Sequence, residues 1–92
     1  MAAALEELRA RIDRVDREII LLLSERFKLT EEVGIYKASN RLNVQDHTRE
    51  AGQFAKISAL SESCGLNPGY ASEIYRCIID TVISRHQELQ EA

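Results

Sequence analysis

One arginine interrupts a long stripe of apolar residues near the start of the chain. The stripe recurs at alternating spacings of three and four, which is typical of one face of a packed helix, and consists of Leu5, Leu8, Ile12, Val15, Ile19, Leu22, Leu29, Val33 and Tyr36. Arg26 occupies the position where another apolar residue would be expected. Because burying an unpaired guanidinium costs several kcal/mol, Arg26 predicts either a carboxylate of the protein or an anionic ligand beside it. Lys37 follows about three turns later on nearly the same face, so the two cations together predict an anion-binding site.

A second group of polar residues follows this stripe. Asp46, Arg49 and Glu50 have the i, i+3, i+4 spacing that places side chains on one face of a helix. Ordinary helix capping and ion pairing would also explain this cluster. His86 comes one turn after Val82, on a face that otherwise carries isoleucines, where a histidine is usually a core or helix-end residue. These residues are candidates for a site only if they act together.

Arg9 lies too far along the same helix to join Arg26 within one chain. Their separation along the helix corresponds to roughly 25 Å and about 100° of rotation. In an antiparallel dimer, however, the N-terminal turns of a partner could return beside Arg26 and form a shared site at the subunit boundary. A solvated surface position would equally explain Arg9 taken alone.

The composition predicts a single domain over residues 1–92 that does not bind nucleic acid. The 15 acidic and 12 basic residues leave a net charge of −3, whereas a nucleic-acid binder would show a dominant basic footprint. The N-terminus lacks the basic and apolar regions of a signal peptide, and the longest run of large apolar residues, Ile19 to Leu23, is far shorter than the roughly 20 residues of a membrane span. Two cysteines, Cys64 and Cys77, suit a reduced compartment. We therefore expect a cytoplasmic protein.

The first predicted element is a helix from about Leu5 to about Asn40. This stretch contains no proline, and Gly34 is its only glycine, so nothing clearly breaks the helix. At 1.5 Å per residue it would be roughly 54 Å long, whereas a compact globule of this size is roughly 30 Å across. Its own chain cannot bury such a helix. Because the stripe stays apolar along its whole length, a second copy is predicted to pack against it as an intimate dimer.

Two further helices are predicted after a connection at residues 41–43. Asn43 or Asp46 would cap the second helix, which runs to about Cys64 and stops at Gly65. The third helix would open at Asn67–Pro68 and run to about Leu89. No strand-like alternation competes with these helices. The predicted fold class is therefore all-α, with a long, a short and a medium helix.

Taken together, these positions resemble the all-helical (type II) chorismate mutases. The resemblance covers nearly the whole chain and is carried by Arg9, Arg26, Lys37, the Asp46-x-x-Arg49-Glu50 cluster and Ile78–Ile79. It implies an intertwined helical homodimer with two sites, each built mainly from one chain and completed by Arg9 of the other. It also implies a small dicarboxylate substrate, chorismate, which rearranges to prephenate in the shikimate pathway to phenylalanine and tyrosine.

The chemistry of that reaction accounts for the residue types. The rearrangement is an intramolecular pericyclic shift, which needs no nucleophile, metal, general acid or cofactor. Planar guanidinium groups grip carboxylates with two parallel hydrogen bonds, a role that the resemblance gives to Arg9, Arg26 and Arg49. Lys37 would stabilise the negative charge that grows on the ether oxygen as the carbon–oxygen bond breaks. Glu50, with Asp46 or its backbone, would receive the hydroxyl group of the substrate.

The chain departs from the family at two of these positions. Some members have a serine where Val82 stands and a glutamine where His86 stands, and the glutamine is a second donor to the ether oxygen. A neutral imidazole still has one N–H to donate, so His86 can keep that function and would make the rate depend on pH near neutrality. These departures keep open an isochorismate-pyruvate lyase or an aminodeoxychorismate mutase on the same fold. A non-catalytic helical dimerisation module, with Arg26 paired to an acidic residue across the seam, is the second alternative.

Overall fold

A computed structural model describes residues 2–92 of the chain, with side chains described from Ala4 onward. The chain forms three helices, α1 (Ala2–Ser39), α2 (His47–Ser63) and α3 (Pro68–Glu91), and the described residues contain no strand. The predicted all-α class and the order of long, short and medium helices are therefore confirmed. The contacts within the chain separate two units, Met1–Thr30 and Glu31–Ala92.

The described part of the first unit consists of helix alone, and its apolar stripe is exposed. Leu8, Ile12 and Leu22 keep 52%, 56% and 64% of their surface accessible in the single chain. The expectation that the chain cannot bury its own long helix is thus confirmed for this unit. Arg26 is half-buried, and Thr30 Oγ1 donates to the Phe27 carbonyl at 3.2 Å.

The end of α1, in the second unit, is a Schellman motif built on a residue other than glycine. Arg41 has φ of 55°, and its backbone N–H donates to the Ala38 carbonyl at 3.4 Å. The next N–H, that of Leu42, donates to the Lys37 carbonyl at 2.9 Å. A left-handed conformation costs a side-chain-bearing residue of order 1–3 kcal/mol. The chain thus turns sharply after α1 and leads into α2.

Helix α2 begins and ends as its local sequence predicts. Asp46, rather than Asn43, is the N-cap, and its carboxylate accepts the backbone N–H of Arg49 at 3.0 Å. At the other end Gly65 has φ of 74°, and the Leu66 N–H donates to the Ser61 carbonyl at 2.9 Å. Glycine meets this left-handed geometry without steric cost, which is why the predicted stop at Gly65 is confirmed.

Helix α3 packs against α2 within the second unit. Asn67 is its N-cap and accepts the Gly69 N–H at 2.8 Å, with Pro68 in the first turn, as predicted. The buried residues of this helix are Ala71, Ile79 and His86. Arg85 reaches the last part of α1, where its Nε and Nη2 atoms donate to the two carboxylate oxygens of Glu31 at 2.9 and 2.7 Å.

Candidate functional site

Lys37 is held at the junction between α1 and α2. Its side chain is half-buried, and Nζ donates to the Val44 carbonyl at 3.3 Å. Its own carbonyl accepts the Leu42 N–H that closes the helix. An ammonium group has three N–H donors, so the bond to Val44 leaves two of them for an anion. The turn after α1 thereby fixes the position of the Lys37 ammonium group and leaves two of its N–H donors available.

The acidic and basic cluster at the start of α2 divides into two kinds of residue. Asp46 and Arg49 are exposed, and the carboxylate of Asp46 is engaged in capping, which confirms the ordinary explanation for that residue. Glu50 differs, because only 14% of its side chain is exposed. Its Oε2 accepts Gln45 Nε2 at 2.8 Å, and its Oε1 accepts Arg76 Nη1 at 2.9 Å. Glu50 is therefore a fixed carboxylate rather than a solvated one.

These contacts lower the pKa of the Glu50 carboxyl below its ordinary value near 4.5. The hydrogen bond from Gln45 is the largest cause, and the hydrogen bond from Arg76 is the next. Donors that face a carboxylate stabilise its charged form, and partial burial opposes them only in part. Glu50 is consequently a hydrogen-bond acceptor at neutral pH.

His86 is buried against α1 at the position of a glycine. Only 3% of its surface is exposed. A Cβ atom added to Gly34 would lie 2.5 Å from Cδ2 and 2.8 Å from Nε2 of the imidazole, and 2.8 Å from Cδ1 of Leu89. The missing side chain of Gly34 thus makes the space for the ring, one helical turn before Lys37. Val82 lies one turn earlier on α3 and is half-buried.

The eight candidate residues fall into both units. Arg9 is exposed and Arg26 is half-buried, and both belong to the first unit. The other six belong to the second unit, in which the end of α1, the start of α2 and the last half of α3 carry them: Lys37, Asp46, Arg49, Glu50, Val82 and His86. Their assignment to a substrate site stays a prediction.

Three residues that matter to this geometry were not among the sequence candidates. Gln45 and Arg76 hold Glu50, and Gly34 accommodates His86. The only sequence signal for Gln45 was its place beside the cap. Arg76 stands four residues before Asp80 on α3, which predicts a local ion pair and nothing beyond it. Their roles depend on contacts between different elements.

Neither a metal-binding cluster nor a membrane-spanning helix occurs among the described residues. Within 2–92, no group of three or more histidine, cysteine, aspartate or glutamate side chains is arranged to hold a metal ion. The same stretch has no helix with both the length and the apolar character that a membrane crossing requires.

Comparison with known proteins identifies the class. Residues 8–87 match the family model described as chorismate mutase type II. A bifunctional chorismate mutase/prephenate dehydratase of Aquifex aeolicus (strain VF5) is 38% identical over 91 residues, which cover 96% of this chain and 25% of that protein. The protein of the same description from Escherichia coli (strain K12) is 31% identical over 85 residues, which cover 91% of this chain and 22% of that protein.

The chain therefore belongs to the chorismate mutase type II family, a family of isomerases. A third relative, the T-protein of Haemophilus influenzae (strain ATCC 51907 / DSM 11121 / KW20 / Rd), is 30% identical over 73 residues, which cover 79% of this chain and 19% of that protein. The chain spans about a quarter or less of the length of these curated relatives.

Proposed function

We propose that this domain converts chorismate to prephenate, a step of phenylalanine and tyrosine biosynthesis, by an intramolecular rearrangement. The observation that carries the proposal is the family match over residues 8–87, which contains every candidate site residue. The relatives from Aquifex aeolicus and Escherichia coli include chorismate mutase in their names. The proposal concerns the part of those proteins that this chain matches.

The proposed mechanism is binding and electrostatic stabilisation. Arg26 and Arg49 of one chain and Arg9 of the partner would grip the two carboxylates of the substrate and hold it in a compact conformer. Lys37 would stabilise charge on the ether oxygen, and its remaining two N–H donors support that role. His86 would be a second donor to the same oxygen. Glu50, with Asp46 or its backbone, would receive the hydroxyl.

The proposal includes a homodimer in which α1 of one copy packs on α1 of the other. The exposed stripe supports it: Leu8, Ile12 and Ile19 keep about half their surface accessible at 52%, 56% and 47%. Large apolar residues at helical spacing gain on the order of 25 cal/mol for each Å² that a partner covers. Arg9, exposed among them, would then reach the site of the partner.

The experiment that tests the function offers the purified protein chorismate and isochorismate separately. Prephenate from chorismate supports the proposal, and its absence refutes the proposal. Release of pyruvate from isochorismate would favour the isochorismate-pyruvate lyase. That alternative stays open because Val82 and His86 differ from the residues of some family members. Sedimentation of the same sample tests the dimer, and a stable folded monomer at micromolar concentration would contradict it.

Replacing His86 by alanine is expected to lower kcat for prephenate formation by about 10²-fold, because the variant lacks the second donor that the proposal assigns to the ether oxygen. His86→Gln keeps a side-chain N–H donor and should retain more activity than His86→Ala. The measurement is steady-state kinetics at saturating chorismate, with helix content recorded for each sample. Parent-like kcat in both variants would show that His86 does not contribute to the reaction.

A further inference from the structure

Arg76 lies outside the predicted site and contacts one of its residues directly. It lies on α3, and its Nη1 donates to Oε1 of Glu50 at 2.9 Å across 26 positions of sequence. The pair joins α3 to the first turn of α2. Glu50 is the carboxylate to which the proposed function assigns the substrate hydroxyl, so whatever orients Glu50 also orients that acceptor.

The guanidinium of Arg76 is itself held in place from two further directions. Its Nε and Nη2 atoms both donate to Oδ1 of Asp80, at 3.0 and 2.8 Å. Its central carbon lies 5.3 Å from the centre of the Phe54 ring on α2. A planar guanidinium with several fixed contacts loses little further freedom when it makes one more hydrogen bond. Arg76 thus reaches Glu50 as a preoriented donor although its side chain is 43% exposed.

The hydrogen bonds to Glu50 leave room for a ligand. Gln45 donates to one carboxylate oxygen and Arg76 to the other. Each carboxylate oxygen has two lone-pair directions, so each keeps one for a further donor. A carboxylate with both oxygens restrained and charged is suited to accept a hydroxyl at a defined position.

We propose that Arg76 is a positioning residue, which orients Glu50 and keeps it charged so that it accepts a hydrogen bond from the hydroxyl of the substrate. The proposal rests on the proposed function, because it needs a bound hydroxyl. Three other groups share this environment: Gln45 donates to Glu50, Asp80 faces Arg76, and His47 exerts a weaker attraction on the Glu50 charge.

The first test is Arg76→Gln in the full chain, assayed with chorismate. We expect kcat/KM to fall about tenfold, the scale of one charge-assisted hydrogen bond. Because Arg76 helps to lower the pKa of Glu50, its removal raises that pKa. The acidic limb of the kcat/KM profile should therefore move to higher pH. Arg76→Lys keeps the charge but not the planar fork, and should give an intermediate loss.

Arg85→Gln is the matched control. Arg85 is also a partly exposed arginine of α3 with two acidic partners, Glu31 and Glu88, but it does not contact Glu50 in the described interactions. Its replacement should leave the acidic limb where it is in the parent. An equal displacement in Arg85→Gln would show that any lost ion pair has this effect and would overturn the proposal.

A double-mutant cycle tests whether Arg76 acts through Glu50. In a Glu50→Gln background, Arg76→Gln should lower kcat/KM by less than about twofold, because the group it orients is already neutral. An undiminished loss in that background, or an unmoved acidic limb in the single variant, would overturn the proposal.

Failure of this inference and failure of the proposed function give different experimental results. A parent protein without turnover of chorismate refutes the function, and the hydroxyl-accepting role falls with it. Carbon NMR of the Glu50 carboxyl then tests the orientation step alone, since its titration should shift to higher pH in Arg76→Gln. An active parent with an unchanged Glu50 titration in the variant refutes only the inference.

Discussion

Lys37→Ala is expected to lower kcat/KM for prephenate formation by at least about 10²-fold, on the order of 3 kcal/mol, by analogy with the loss of an oxyanion-hole donor. The physical reason is that charge appears on the ether oxygen only as the carbon–oxygen bond breaks, so a preorganised cation stabilises the transition state more than the ground state. The measurement is steady-state kinetics, with helix content and sedimentation recorded for the same sample. The variant should remain helical and dimeric.

Two companion variants separate the charge of Lys37 from its structural contact. Lys37→Gln replaces Nζ, which donates to the Val44 carbonyl at 3.3 Å, by an uncharged N–H donor on a shorter side chain. We expect it to be about as impaired as Lys37→Ala. Lys28→Ala removes an exposed lysine of the same helix and should behave as the parent does. Near-parent activity in both Lys37 variants would exclude the proposed role.

Gly34→Ala is expected to destabilise the protein by about 1–3 kcal/mol, although alanine is the better helix former by about 1 kcal/mol. The new Cβ would approach the buried ring of His86 to 2.5 Å and the Leu89 methyl to 2.8 Å. With His86 only 3% exposed, the ring has little space in which to move aside. Thermal unfolding monitored by circular dichroism at fixed protein concentration measures the change.

Gly52→Ala is expected to change the free energy of unfolding in the opposite direction. Gly52 lies within α2 and no heavy atom lies within 4 Å of the position its Cβ would take, so the variant should be stabilised by up to about 1 kcal/mol. In a His86→Ala background, Gly34→Ala should cost less than it does in the parent, because the ring that meets the new methyl is gone. A Gly34→Ala protein as stable as Gly52→Ala would show that the ring does not occupy the glycine position in solution.

The features that the sequence predicted well are local ones. Asp46, Asn67–Pro68 and Gly65 mark helix ends because capping and left-handed turns depend on a few consecutive residues. The end of α1 was also placed close to its observed position, but its turn residue, Arg41, carries no such signal. A long side chain in the left-handed region is tolerated there because the closing hydrogen bonds and the connection to α2 fix the backbone.

At the candidate site, too, the sequence predicted residue types but not the contacts between residues that are distant in sequence. The types and spacing of Arg26 and Lys37 indicated an anion site, and together with Glu50 they helped to carry the family resemblance. What holds Glu50 was not foreseen, because Arg76 is 26 residues away and its obvious partner in sequence is Asp80. The buried state of His86 likewise depends on Gly34, from another helix.

The sequence by itself thus determined the three helices, most of their ends, the family and the residue types of the candidate site. Helical periodicity and capping depend on residues that are close in sequence, so they can be recognised from the amino-acid sequence alone. Only the tertiary structure decided that Glu50 is a restrained carboxylate between Gln45 and Arg76, and that His86 lies in the space left by Gly34. Those facts depend on which side chains meet when helices pack, and steric fit and hydrogen-bond geometry settle that only in three dimensions.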